Sequence, residues 1–135
     1  DLLTRRAGMI LSGALEGPAA QYALPTPVFF HKGRTVLRDR EDCRKSLEWL
    51  RNDLRARGVV ALRPGIAAID LPRGGRFRVW VDWVLIDAQG QESPGSSVIY
   101  YCRKDGAGIA LEMLDYRHMS SPAMRPMFMS LPLSA

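Results

Sequence analysis

Cysteine, histidine and long apolar runs are what this sequence has least of. Its 135 residues hold two cysteines, Cys43 and Cys102, and two histidines, His31 and His118. No Cys-x-x-Cys pair and no Cys/His cluster occurs, so no metal centre is expected. The cysteines stand in separate segments with no motif around them. They read as small buried residues of a reducing, cytoplasmic compartment rather than as a disulfide framework. No stretch approaches the roughly 18 consecutive apolar residues that a membrane span needs, and no targeting segment is read in these residues. A chain of this length buries about two-thirds of its unfolded surface, so it folds as one domain without a staple.

One further lack concerns the positive charge. The formal net charge is +5 and the isoelectric point about 9.7, which raises the question of nucleic acid. The basic residues are not concentrated, however. They fall at Arg5 and Arg6, Lys32 and Arg34, Arg38 to Arg57, Arg73 to Arg78, and Arg103 and Lys104. Without a dense run or a binding motif, they read as a solvated, mildly basic surface, and neither nucleic acid nor membrane is expected as a partner.

What is present is clear periodicity. Leu2, Leu3, Ile10, Leu11 and Leu15 fit an amphipathic helix over residues 1–15, with a shorter helix to follow over 15–22, begun at Gly17-Pro18. Val28 to His31 and Thr35 to Leu37 form a short hairpin about the Lys32-Gly33-Arg34 turn. The clearest helix runs from Asp39, an N-cap, to Arg57, with Gly58 as its C-cap. Cys43, Leu47, Leu50 and Leu54 lie on one stripe of it, and its length is about 28 Å at 1.5 Å per residue.

After Gly58 the period changes from 3.6 to 2. Val59 to Leu71 is a strand with a bend expected at Pro64-Gly65. In Arg76 to Ile86, the residues Phe77, Val79, Val81, Trp83 and Leu85 share one face. Ser97 to Arg103 and Ile109 to His118 complete four long strands. From residue 120 to 135 the Met- and Pro-rich sequence reads as an irregular tail. The expected fold class is α+β: a curved antiparallel sheet of four long strands plus a short hairpin, wrapped around the long helix, with two shorter N-terminal helices. Residues 1–119 form the domain.

This order resembles the nuclear transport factor 2-like superfamily, and within it the SnoaL-like and ketosteroid isomerase-like branches. The resemblance runs from Asp1 to about His118. It rests on the element order, on the hairpin-then-helix run Pro27 to Gly58, and on the ending Leu111-Glu112-Met113-Leu114-Asp115. It implies a cystatin-like cone around a pocket, and homodimers that pair sheet faces. Ketosteroid isomerases carry a carboxylate base on the first hairpin strand, and Val28-Phe29-Phe30-His31 has none. Their protonated aspartate on the second-last strand corresponds to Tyr100. The final-strand aspartate of SnoaL-like cyclases corresponds to Asp115.

Several residues are therefore candidates. Asp115 alternates with Ile109, Leu111 and Met113. On a pocket face it would be a lone carboxylate whose pKa burial raises, suited to acid or base work; otherwise it pairs with a nearby arginine. His31 could shuttle a proton beside the hairpin turn, or it is a half-exposed strand end; His118 stands at the end of the last strand. Tyr100 is a hydrogen-bond donor for a carbonyl. Tyr22, Phe29, Trp83 and Met113 are expected to line the pocket. Trp80, on the opposite face of its strand from Trp83, is expected at a dimer interface or under the tail. The leading functional expectation is a protein that binds a small apolar molecule, without a cofactor. The alternatives are a lyase, isomerase or cyclase acting through Asp115, and a dimeric interaction domain.

Overall fold

Local sequence sets each element in the computed structural model, which describes residues 1–106, 108–121 and 123–131. Helix α1 spans Leu2–Ser12. The Asp1 carboxylate caps it by accepting from the Thr4 N–H at 3.0 Å, and Gly13 ends it at φ 88°, in the left-handed region that glycine adopts without strain. It stops short of Leu15 for that reason. Helix α2, Glu16–Ala20, is a single short turn. The long helix α3 covers Arg40–Ala56, and Asp39 caps it by accepting from the Asp42 N–H at 2.8 Å. Cys43, Leu47 and Leu54 are buried along its expected stripe, with Leu50 packed beside them.

Six strands follow or intervene: β1 Thr26–Phe30, β2 Gly33–Leu37, β3 Val59–Ile69, β4 Arg76–Asp87, β5 Glu92–Asp105 and β6 Gly108–His118. They form one sheet in the order β2-β1-β6-β5-β4-β3. The four long strands make an antiparallel meander, as their turn sequences require. The hairpin joins it differently from the expectation of a wholly antiparallel sheet. Strand β1 runs parallel to β6, with Val28 opposite Leu114 and Phe29 opposite Asp115. The last strand thus comes to lie beside one of the first, and the sheet is mixed.

Two irregularities in the meander decide which side chains face inward. Along β5, Ser97 pairs with Asp82 and Pro94 with Val84, so β5 holds one residue more than β4 across this step. Gly95 sits there because the Trp83 carbonyl passes so close that a Cβ on residue 95 would meet its oxygen at 2.8 Å. Along β6, Met113 pairs with Tyr101 and Leu111 with Cys102, so Glu112 is an extra residue. A bulge of this kind inverts the alternation beyond it. Inward residues are Ile109 and Leu111 before it, and Leu114 and Tyr116 after it. In β3 the register shifts fall at Val60 and Ala67, on either side of Pro64 and Gly65, which stay paired with Trp83 and Asp82. Pro64 is tolerated because β3 is an edge strand, where a missing N–H costs no ladder bond.

The inner face of β4 is the expected one, with Val79, Val81 and Leu85 buried and Phe77 and Trp83 packed on the core. The segment after residue 119 is not wholly irregular. It contains a fourth helix, α4, over Met124–Met129, which tolerates Pro126 because proline fits a first helical turn. Met124 and Phe128 are buried in the main core. Phe128 stacks on Phe30 at 5.7 Å and meets Trp49 edge-on at 6.2 Å. Among the described residues no helix is long and apolar enough to cross a membrane.

Candidate functional site

Helices α1, α3 and α4 and the inner sheet face do not close completely on one another. They leave a cavity of about 70 Å³, room for about five water-sized sites. Its walls are mostly aliphatic: Ile10 of α1, Leu47 and Leu50 of α3, Val98 of β5 and Leu114 of β6. Met124 and Phe128 of α4 also line it.

Polar groups reach this space from several elements. Trp83 projects inward from β4 and its Nε1–H donates to the Tyr100 hydroxyl of β5 at 2.9 Å. Tyr22 follows α2 and is held by backbone bonds on both sides: the Ala23 N–H donates to the Leu111 carbonyl at 2.8 Å, and the Leu111 N–H to the Gln21 carbonyl at 2.7 Å. Its hydroxyl accepts from Arg6 Nη2 at 2.6 Å. Arg40 steadies the same segment through the Ala19 and Tyr22 carbonyls, at 2.7 and 2.9 Å. Tyr116 of β6 and Ser46 of α3 complete the polar lining on this side, the Ser46 hydroxyl donating to the Cys43 carbonyl.

The electrostatics follow from burial. Desolvation raises the Tyr22 phenol above its ordinary pKa, opposed by the nearby Arg6 cation. Burial pushes Tyr100 up to about 12, and Tyr116 also rises. All three therefore remain protonated at neutral pH, each with a hydroxyl hydrogen to give and none poised as a base. Both cysteines are buried, with burial pushing Cys43 up to about 12 and Cys102 up to about 11, so neither is a poised nucleophile. Among the described residues no cluster of three His, Cys, Asp or Glu side chains could hold a metal ion.

The residues singled out from the sequence separate into two groups. Tyr22, Trp83 and Tyr100 come together in the cavity lining. Asp115, Met113, Phe29 and His31 lie outside that lining. Asp115 and Met113 fall on the other face because the extra residue at Glu112 inverts the alternation that starts at Ile109. The Asp115 carboxylate lies 3.6 Å from the Arg117 guanidinium and is 26% exposed. Phe29 is 36% exposed, and its neighbours Val28 and Phe30 are the inward pair of β1. His31 is an exposed turn residue whose carbonyl accepts from Arg125, and His118 is exposed at the end of β6. Arg6 was not among the sequence candidates. The signal was its place on the apolar stripe of α1, three residues after Leu3 and four before Ile10.

No protein-family model and no curated protein sequence matches this chain. Solved structures do match in shape. A nuclear transport factor 2-like protein with a cystatin-like fold from Novosphingobium aromaticivorans superposes with a TM-score of 0.65 at 17% identity, over 93% of this chain and 83% of that one. Aln2 from a Streptomyces species gives 0.65 at 12% identity, over 87% and 85%. A domain of unknown function with a cystatin-like fold from Nostoc punctiforme gives 0.62 at 19% identity, over 91% and 75%. At these identities the likeness concerns architecture, and on that ground the chain has the nuclear transport factor 2-like, cystatin-like fold.

Proposed function

We propose that this domain binds a small molecule in the cavity between α1, α3 and the inner sheet face. The observation that carries the reading is the convergence of Arg6, Tyr22, Trp83 and Tyr100, from four separate segments of the chain, on a space walled mostly by aliphatic and aromatic carbon. A largely apolar enclosure with a few placed polar groups is the usual form of a ligand site. The cavity is small, so the occupant is small or its apolar end displaces side chains of α4. Native mass spectrometry of protein purified from its own host tests the reading. A retained small-molecule mass is expected, and a ligand-free spectrum for both native and gently desalted protein would count against it.

A lyase, isomerase or cyclase acting through Asp115 has less support. That carboxylate stands beside Arg117 on the face opposite Leu114 and Tyr116, beyond the roughly 3 Å reach an acid or base needs to a substrate in the cavity. A second reading, homodimer formation, is favoured by one observation. Ile66, Ile69 and Leu71 are 51%, 63% and 88% exposed along the β3 edge and the loop after it, an apolar strip of the kind that partners cover. Sedimentation of the purified chain at micromolar concentration tests this, and a strict monomer removes the reading.

A further inference from the structure

Among the described residues two charged side chains, Arg6 and Asp42, are buried, and they are treated differently. Asp42 is buried with its counter-ion, accepting from Arg38 Nε at 2.9 Å. Arg6 is only 6% exposed, yet among the described residues no carboxylate lies within ion-pair distance of it. Its partners are neutral. Nη1 donates to the Pro18 carbonyl at 2.9 Å and to Gln21 Oε1 at 2.6 Å, and Nη2 to the Tyr22 hydroxyl at 2.6 Å. The guanidinium also lies 4.9 Å from the centre of the Tyr22 ring. Burying a cation without an anion is costly, and these contacts offset that cost only in part.

The neighbouring groups share one bias. A guanidinium has five N–H donors and no acceptor, and three of Arg6's donors are engaged. The Tyr100 hydroxyl accepts from Trp83 Nε1–H and keeps its own hydrogen to give. The Tyr116 hydroxyl makes no hydrogen bond with a described residue, and Arg6 acts electrostatically on all three tyrosines. The cavity thus has one positive charge, an excess of hydrogen-bond donors and apolar walls.

We propose that the occupant of this cavity is a small monocarboxylate, its carboxylate set against Arg6 and the tyrosine hydroxyls and its apolar body against Ile10, Leu50, Leu114 and Phe128. The assignment rests on the reading of the cavity as a ligand site. Arginine is the residue best matched to a carboxylate, through short charge-assisted bonds. A single cation balances a single negative charge. A dianion such as phosphate would bring a second charge into an apolar enclosure with nothing to pair it, and a neutral ligand would leave Arg6 as unpaired as before.

The test is calorimetric titration of the whole chain with benzoate and hexanoate, with their neutral counterparts benzamide and hexanamide, and with inorganic phosphate. The carboxylates are expected to bind at least about tenfold more tightly than the amides, the factor one charge-assisted hydrogen bond supplies. Arg6→Gln should abolish that preference. If Arg6→Gln does not fold, the wild-type preference and its several-fold reduction in Tyr100→Phe decide the matter. Equal affinity for carboxylates and amides, or tighter binding of phosphate, overturns the assignment and leaves the ligand-site reading standing. So does an Arg6→Gln variant that melts earlier but keeps the preference, since Arg6 would then only tie α1 to α2. Failure of every probe to bind overturns both readings.

Discussion

Replacing Phe128 by alanine tests whether the short C-terminal helix is an integral wall of the cone. Helix α4 has six residues, far fewer than the 12–15 or so at which an isolated helix becomes even marginal in water. It is therefore held by its side chains. Phe128 is 3% exposed and faces three rings, Phe30 at 5.7 Å, Trp49 at 6.2 Å and Tyr116 at 6.3 Å. Removing a fully buried phenylalanine costs about 3–5 kcal/mol. The existing cavity beside it lets neighbours relax inward, which places the expected loss near the lower limit, about 3 kcal/mol. With a urea slope of roughly 1–3 kcal/mol per molar, the unfolding midpoint should fall by about 1–3 M. Trp49 fluorescence is the natural probe, because that indole touches the deleted ring. A midpoint lowered by less than about 0.3 M, with unchanged fluorescence, would show that α4 is not docked where the contacts put it.

The remaining predictions concern the two aspartates. Hydrogen bonds from Arg38 hold the Asp42 carboxyl below the usual carboxylate range, against the opposing effect of burial. A depressed folded pKa gives stability that is complete above the unfolded value of about 4 and disappears as pH falls through the lower folded value. Asp42→Asn should therefore cost roughly 1.5–3 kcal/mol at pH 7, and the gap to wild type should narrow below about pH 4 in urea titrations at stepped pH. Asp115→Asn should leave the affinity for any cavity ligand within about twofold of wild type by calorimetry, because its carboxylate faces away from the cavity; a tenfold loss would restore Asp115 to the site.

Where the sequence pattern was long and regular, it was sufficient. The α3 stripe of Cys43, Leu47, Leu50 and Leu54 and the β4 face from Phe77 to Leu85 are both on the core, since a dozen or more residues of one period leave little choice of face. Where a single residue sets the phase, it was not. The extra residue at Glu112 turns Met113 and Asp115 outward, and no composition signal marks it. Val28-Phe29-Phe30 is apolar throughout, so alternation could not say that Phe30 rather than Phe29 faces in. Helix α4 is faint in the sequence because methionine and proline are weak guides over six residues, although Met124 and Phe128 stand at the i, i+4 spacing that shares a face. Arg5 and Arg6 are adjacent in the sequence and alike in charge, yet only Arg6 falls on the Leu3–Ile10 stripe. Among the described residues, the one charged side chain in the cavity lining stands at that position.

The central claim, that the cavity is a ligand site, is tested most directly by the indole N–H resonances of the three tryptophans. Trp83 donates its Nε1–H to Tyr100 inside the cavity, whereas Trp80 lies under the Arg78 guanidinium, 4.7 Å away, on the opposite face of the same strand. During titration with benzoate or benzamide the Trp83 signal should move, or broaden and return, while the Trp80 signal stays fixed. A shift confined to Trp80, or no shift at saturating ligand, would contradict the account.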